Sequence, residues 1–241
     1  MRKSSVQAMT SACTIPGNSK PLIIFCHGSG DTGRGARLWI ESLVPSAVYH
    51  HWDWIFPNAS SIPYTLNGGL VTSIWYDRVG GFAPTYPEQT ATVEASTDRL
   101  LAIIDEEVLE HGRQDIIIGG FSMGGNIAYQ TAARWQASLG KEQFAHRRSL
   151  MAVFGLSCYL NDDSKAWSIL DDSSGNPMCH WPATYISHGA SDDFISPQWG
   201  EATYDRLKSK GVPATFRLVQ GMYHDMGASD TAELLQFLSN L

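Results

Sequence analysis

The chain has 241 residues, a length that suits one α/β domain, and 43% of them are apolar, so a sizeable core can form and disorder is not expected. A formal charge of −7 argues against nucleic acid as a partner and against electrostatic docking on anionic membranes. No apolar run approaches the roughly 20 residues of a membrane helix. The first residues carry neither a signal peptide's apolar stretch nor a Gly at position 2 for myristoylation.

Residues 1–20 are small and polar and are expected to form a loose N-terminal tail, with residues 21–241 as a single domain. The apolar run at 21–26 predicts a strand covered on both faces, and 52–56 predicts a second. Residues 57–91 show no clear periodicity and are expected as a long loop. A helix is predicted over 92–111, where Leu100, Ile104 and Val108 share a face and Gly112 follows as a stop. Next come a strand at 115–119, a small-residue helix at 123–138, and strands at 150–156 and 182–187. A helix at 198–210, a strand at 214–219 and a helix at 230–240 close the series.

Such alternation predicts a mostly parallel sheet with helices on both faces, and sites in such sheets lie beyond the carboxyl ends of the strands. The connection from 156 to 182 is too short for a separate cap domain. The four cysteines (Cys13, Cys26, Cys158, Cys179) lack C-x-x-C spacing, and Cys26 and Cys158 sit in strand-like runs. Free thiols and a cytoplasmic location are therefore expected.

Directly after the D-I-I-I-G strand comes Gly120-Phe121-Ser122-Met123-Gly124, a G-x-S-x-G string at a strand-to-helix junction. This is the nucleophile elbow of the α/β-hydrolase fold, where the Ser backbone is strained to expose Oγ and flanking glycines let strand and helix pass closely. A Ser hydroxyl needs a base, and in this fold the order is Ser, acid, His. His27, His50, His51 and His111 precede Ser122 and are excluded. His146 lies among basic residues, His180 in an irregular stretch, and His188 at a strand end ahead of any acid loop. His224, beyond the last strand, is the expected base. The acid should follow the strand at 182–187, where Asp192 and Asp193 stand side by side and spacing cannot choose between them. Two amides should form the oxyanion hole: that of Met123, and that of Ser29 in the glycine-rich loop 27–33 after the first strand.

Two other readings compete. Gly28-x-Gly30-x-x-Gly33 after a strand fits a dinucleotide fingerprint, and with it an NAD(P)-dependent oxidoreductase, but Asp53 sits inside W-D-W rather than capping the second strand. Asp31-Thr32-Gly33 matches an aspartic protease signature that needs a second copy, which is missing. The histidines lack metal-ligand spacing, so no metal or organic cofactor is expected. A non-catalytic binding module on the same fold is the remaining alternative.

The sequence resembles the phospholipase/carboxylesterase family of acyl-protein thioesterases and lysophospholipases from about residue 21 to the C-terminus. The motifs are F-C-H-G-S-G-D-T-G at 25–33, T-L-N at 65–67, W-Y-D at 75–77 and G-G-F-S-M-G-G at 119–125, then L-S-C-Y-L at 156–160, H-G-A-S-D at 188–192 and G-M-Y-H at 221–224. The resemblance implies Asp192 as the acid and agrees with Ser122, His224 and the Ser29 amide. It implies hydrolysis of acyl esters or thioesters (small molecules, lysolipids or S-acylated proteins) without a cofactor. Met123 stands where the family usually has Gln, Tyr159 where Trp is frequent, and Asp193 where Pro is frequent. The N-terminal Cys that is palmitoylated in some members is missing, so no membrane anchor is carried over. Among the loop aromatics Trp75 is a candidate for lining an acyl groove, with Tyr159 and Phe194 beside it; the alternative is that such rings pin the loop to the body.

Overall fold

In the computed structural model, residues 20–173 and 181–241 are described; the tail expected over 1–20, Lys20 apart, lies outside them, as do Cys13, Cys179 and His180. In chain order the elements are β1 (Leu22–Cys26), α1 (Gly33–Leu43), the short α2 (Ser46–Tyr49), β2 (Asp53–Ile55), β3 (Ser60–Tyr64), β4 (Leu70–Ile74), α3 (Thr90–Leu109) and β5 (Ile116–Phe121). There follow α4 (Met123–Gln136), β6 (Ala152–Leu156), α5 (Lys165–Ser173), β7 (Ala183–Gly189), α6 (Pro197–Ser209), β8 (Ala214–Val219) and α7 (Ala228–Ser239).

Six strands form one sheet in the order β2-β1-β5-β6-β7-β8, and every pairing is parallel. Alternation along each strand sends side chains to opposite faces. On β1, Leu22, Ile24 and Cys26 pack with apolar residues of α3, α4, α5 and α6, whereas Ile23 and Phe25 pack with those of α1 and α7. On β5, Ile116 and Ile118 point the first way and Ile117 the second. Both faces are therefore apolar, and the strands read as continuous hydrophobic runs. Cys26 and Cys158 are buried free thiols whose pKa values burial pushes up, so neither is a reactive thiolate.

From β1 the chain moves outward to β2, then returns to the other flank of β1 as β5 and proceeds to β8. The strand order reverses between β1 and β5, the switch point where open α/β sheets place their sites. The connection from β6 to β7 carries α5 and, among the described residues, no inserted domain.

Several elements depart from the expectation. Helix α1 begins where the glycine-rich loop 27–33 ends, in a stretch for which no element is predicted; Thr32 caps it by accepting from the Gly35 amide at 3.0 Å, and Ala36 and Ile40 bury its inner face. Helix α5 was likewise unexpected. Within the supposed loop 57–91, β3 and β4 form an antiparallel hairpin closed through Gly68 and Gly69, both with positive φ. Pro63 sits in β3 opposite Val71, a position open to proline because a two-stranded ribbon consists only of edges.

Candidate active site

Ser122 stands between the carboxyl end of β5 and the first turn of α4, at the switch point. Its backbone has φ 54° and ψ −121°, a strained conformation for a residue with a side chain, worth about 1–3 kcal/mol and held here by the surroundings. Its amide donates to Leu156 O at 2.8 Å, which ties the elbow to β6. A Cβ at Gly120 or at Gly124 would collide with the carbonyl oxygen of Cys26. The glycines are therefore fixed by the closeness of β1 to both arms of the elbow.

The loops after β7 and β8 meet backbone to backbone. A Cβ at Gly189 would strike the carbonyls of Met222 and Tyr223, and the Ser191 amide donates to Met222 O at 2.9 Å. This contact brings His224 beside Asp192. His224 Nδ1 lies 2.7 Å from Asp192 Oδ2, and His224 Nε2 lies 3.0 Å from Ser122 Oγ. A carboxylate only accepts, so Nδ1 carries the proton and Nε2 offers its lone pair to the Ser122 hydroxyl. Oδ1 of Asp192 accepts from the amides of Phe194 at 3.0 Å and Ile195 at 2.8 Å. Asp193 is exposed, so of the two adjacent carboxylates only Asp192 faces the imidazole.

The amide of Met123 opens α4 and has no partner within the helix, as for any first-turn N–H. Its side chain is buried in the core, so substitution of the family's usual Gln changes packing rather than an exposed surface. Gly28 runs past the nucleophile: a Cβ there would lie 3.7 Å from Ser122 Cβ. The next peptide is pinned by His27, whose Nδ1 lies 2.7 Å from Gly28 O while its Nε2 accepts from the Ala59 amide at 3.0 Å. Those partners fix a neutral Nδ1–H tautomer, and burial lowers the pKa of the ring. The Gly28 carbonyl and the Ser29 N–H belong to one trans peptide and point opposite ways, so holding the first aims the second.

Two of the three predicted groove residues are corrected. Trp75 is only 1% exposed, donates from Nε1 to His27 O at 2.8 Å and packs on the His27 ring. Tyr159 is 2% exposed, with its hydroxyl on Phe82 O and its ring against Trp199. Both brace loops and offer no surface to a ligand; an aromatic in a loop can turn inward as readily as outward. Phe194 is 49% exposed and stands 5.1 Å from the His224 ring and 4.8 Å from the Phe82 ring, centroid to centroid. It stands exposed beside the imidazole, which Phe121 also flanks, at 4.8 Å.

Residue-level reading missed His188, the penultimate residue of β7, fully buried with Nε2 3.1 Å from Asp192 Oδ2. The available signal was the spacing of His188 four residues before Asp192. Asp53 opens β2 rather than ending it and pairs with Arg113 at 2.6 Å, so it is not placed to bind a ribose. Among the described residues, no group of three or more His, Cys, Asp or Glu side chains is arranged to hold a metal ion.

Comparison with known proteins gives the family and the fold. Residues 14–241 match the family described as Phospholipase/Carboxylesterase. Lysophospholipase-like protein 1 of Mus musculus is 33% identical, over 96% of this chain and 94% of its own length. Acyl-protein thioesterase 1 homolog 1 of Dictyostelium discoideum is 30% identical, over 90% of this chain and 88% of its own. Among solved structures, acyl-protein thioesterase 2 of Zea mays superposes with a TM-score of 0.77 at 24% identity, covering 93% of this chain and 94% of that one. SOBER1 of Arabidopsis thaliana gives a TM-score of 0.77 at 23% identity, covering 92% and 99%. The fold is that of the α/β hydrolases.

Proposed function

The chain belongs to the phospholipase/carboxylesterase family of hydrolases, and on that premise we propose that it cleaves carboxylic esters or thioesters of acyl chains through Ser122, His224 and Asp192. The observation that carries the reading is the single imidazole bonded on one side to a strained serine hydroxyl and on the other to a buried carboxylate. His224 Nε2 takes the Ser122 proton as Oγ attacks the acyl carbon. The oxygen of the tetrahedral intermediate takes up negative charge opposite the amides of Ser29 and Met123. Collapse expels the alcohol or thiol, which receives the proton from His224 and leaves an acyl group on Ser122. Water, giving its proton to the same imidazole, attacks the acyl carbon; the bond from that carbon to Oγ breaks, Ser122 takes the proton back from His224, and the acid leaves.

Thioester cleavage is favoured by the relatives whose names say acyl-protein thioesterase, and an apolar acyl chain by the exposed Phe194 beside the imidazole, with Phe82 packed on its ring. Residues 21–241 act as one domain in this reading, and buried free thiols suit the reducing cytosol. Among the described residues, no helix is long and apolar enough to cross a membrane. Rates on p-nitrophenyl esters from acetate to palmitate, set beside a palmitoyl-cysteine peptide, test the substrate class. Rates that rise with chain length and turnover of the peptide support the reading. A strong preference for acetate contradicts the long-chain assignment, and NADH binding would revive the oxidoreductase.

A further inference from the structure

His188 is buried beneath the site and takes no part in the steps above. Its Nε2 lies 2.9 Å from the carbonyl oxygen of Ile195 and 3.1 Å from Asp192 Oδ2. A carbonyl only accepts, so Nε2 carries the proton and shares it between these two oxygens. Nδ1 is then a bare acceptor, buried and without a partner among the described residues. It faces Gly200 of α6, where a Cβ would stand 2.6 Å away. Burial pushes the ring's pKa down, which keeps the imidazole neutral through the working range.

The contacts of Asp192 explain why a second imidazole is there. Oδ1 accepts two backbone amides, and Oδ2 accepts Nδ1–H of His224 and Nε2–H of His188. That occupies roughly the four lone-pair sites a carboxylate has. Ile195 closes the ring: its amide donates to Asp192 and its carbonyl accepts from His188. We infer that His188 is a positioning residue, which through one shared N–H both orients the Asp192 carboxylate toward His224 and withdraws part of the charge that carboxylate presents to it. The inference rests on the triad proposed above.

Its consequence is a pH signature. Without the His188 donor, Oδ2 presents more negative charge to His224, the imidazolium is favoured, and the acid limb of the rate profile moves to higher pH. The titratable groups facing His188 are Asp192 and His224; Asp230 of α7 lies near the preceding residue, Ser187, and Cys158 presents its carbonyl at Gly200. The profile is therefore also recorded in an Asp230→Asn background.

The experiment compares His188→Leu, His188→Gln and the unaltered chain, with kcat and KM measured against pH and active sites counted by fluorophosphonate titration. Gln places an amide N–H where the imidazole Nε2–H was. Per active site, His188→Leu is expected to lose about 10–100-fold in kcat with KM nearly unchanged, the scale of a misplaced catalytic group. Its acid limb should move up by about half a pH unit or more, and His188→Gln should restore both. An unmoved or lowered limb in His188→Leu, or Gln behaving like Leu, overturns the inference. If His188→Leu does not fold, Gly200→Ala replaces it: the added methyl displaces the ring while α6 gains helix propensity, and an unmoved limb again overturns the idea. Asp192→Asn separates the two levels. If it stays active the triad itself fails, whereas if it is inactive while the His188→Leu limb stays in place only the role of His188 fails.

Discussion

Replacing Asp192 by Asn changes one oxygen to an NH2 group, and the surrounding donors decide where that group goes. Oδ1 accepts from the Phe194 and Ile195 amides, so the amide oxygen of Asn must stay there. The NH2 group then occupies the Oδ2 position and meets His224 Nδ1, 2.7 Å away in the native site. Nδ1 must become an acceptor, which moves the ring proton to Nε2 and points an N–H at Ser122 Oγ, where a lone pair is needed. The base is then in the wrong tautomer, with the geometry hardly altered. In a serine protease the same exchange costs about 10⁴ in kcat, or about 5 kcal/mol of barrier. The NH2 group also opposes Nε2–H of His188, so the variant is destabilised as well. Asp193 is exposed and its exchange for Asn should change kcat by less than about twofold. Turnover of p-nitrophenyl butyrate per folded molecule, with folding checked by circular dichroism, measures both. Asp192→Asn retaining a tenth of the activity, or Asp193→Asn losing a hundredfold, would refute the reasoning.

Gly124→Ala should force β1 away from α4, because the methyl meets the Cys26 carbonyl. A loss of about 1–3 kcal/mol in urea unfolding and about 100-fold in kcat is expected, and native values for both would contradict the packing argument. His27→Ala frees the Gly28–Ser29 peptide and should lower kcat by about 10–100-fold with little change in KM, part of what one oxyanion donor is worth. A KM effect alone would instead assign His27 to ground-state binding. Asp230 is buried with neither oxygen bonded, the Ser187 hydroxyl being close but outside bonding geometry, and burial pushes its carboxyl up to about 6. Between about pH 4 and pH 6 the folded chain keeps a proton that the unfolded chain, with a carboxyl near 3.9, has released, so this stabilisation is complete below pH 4 and lost as pH rises through 6. Asp230→Asn should therefore gain about 1–3 kcal/mol at pH 7.5 and flatten that part of the stability curve; equal stability at pH 7.5 would refute the burial effect.

What the sequence disclosed follows from where the physics is local. Strands buried on both faces must be apolar throughout, so β1, β5 and β6 stand out as runs, and the elbow is announced by glycines that Cys26 makes obligatory. Helix α1 was hidden because it opens Gly33-Arg34-Gly35, a loop-like string whose first glycine is required by tertiary contact with the Phe56 carbonyl. The hairpin was hidden by Pro63, which argues against a strand until the ribbon is seen to have only edges. Asp192 and Asp193 differ in orientation rather than in position, so spacing had no means of choosing. Trp75 and Tyr159 were misassigned for a related reason: sequence locates a ring in a loop but not the side it faces. His188 carries its meaning only in the fold, where the residue four positions later turns back onto its ring.

The most direct test of the mechanism is to trap the acyl-enzyme. After brief mixing with p-nitrophenyl palmitate and acid quench, the tryptic peptide spanning residues 114–134 is analysed by mass spectrometry. A palmitoyl adduct on Ser122, absent in Ser122→Ala together with about six orders of magnitude of turnover, is the expected result. An adduct on another residue, or undiminished hydrolysis by Ser122→Ala, would contradict it.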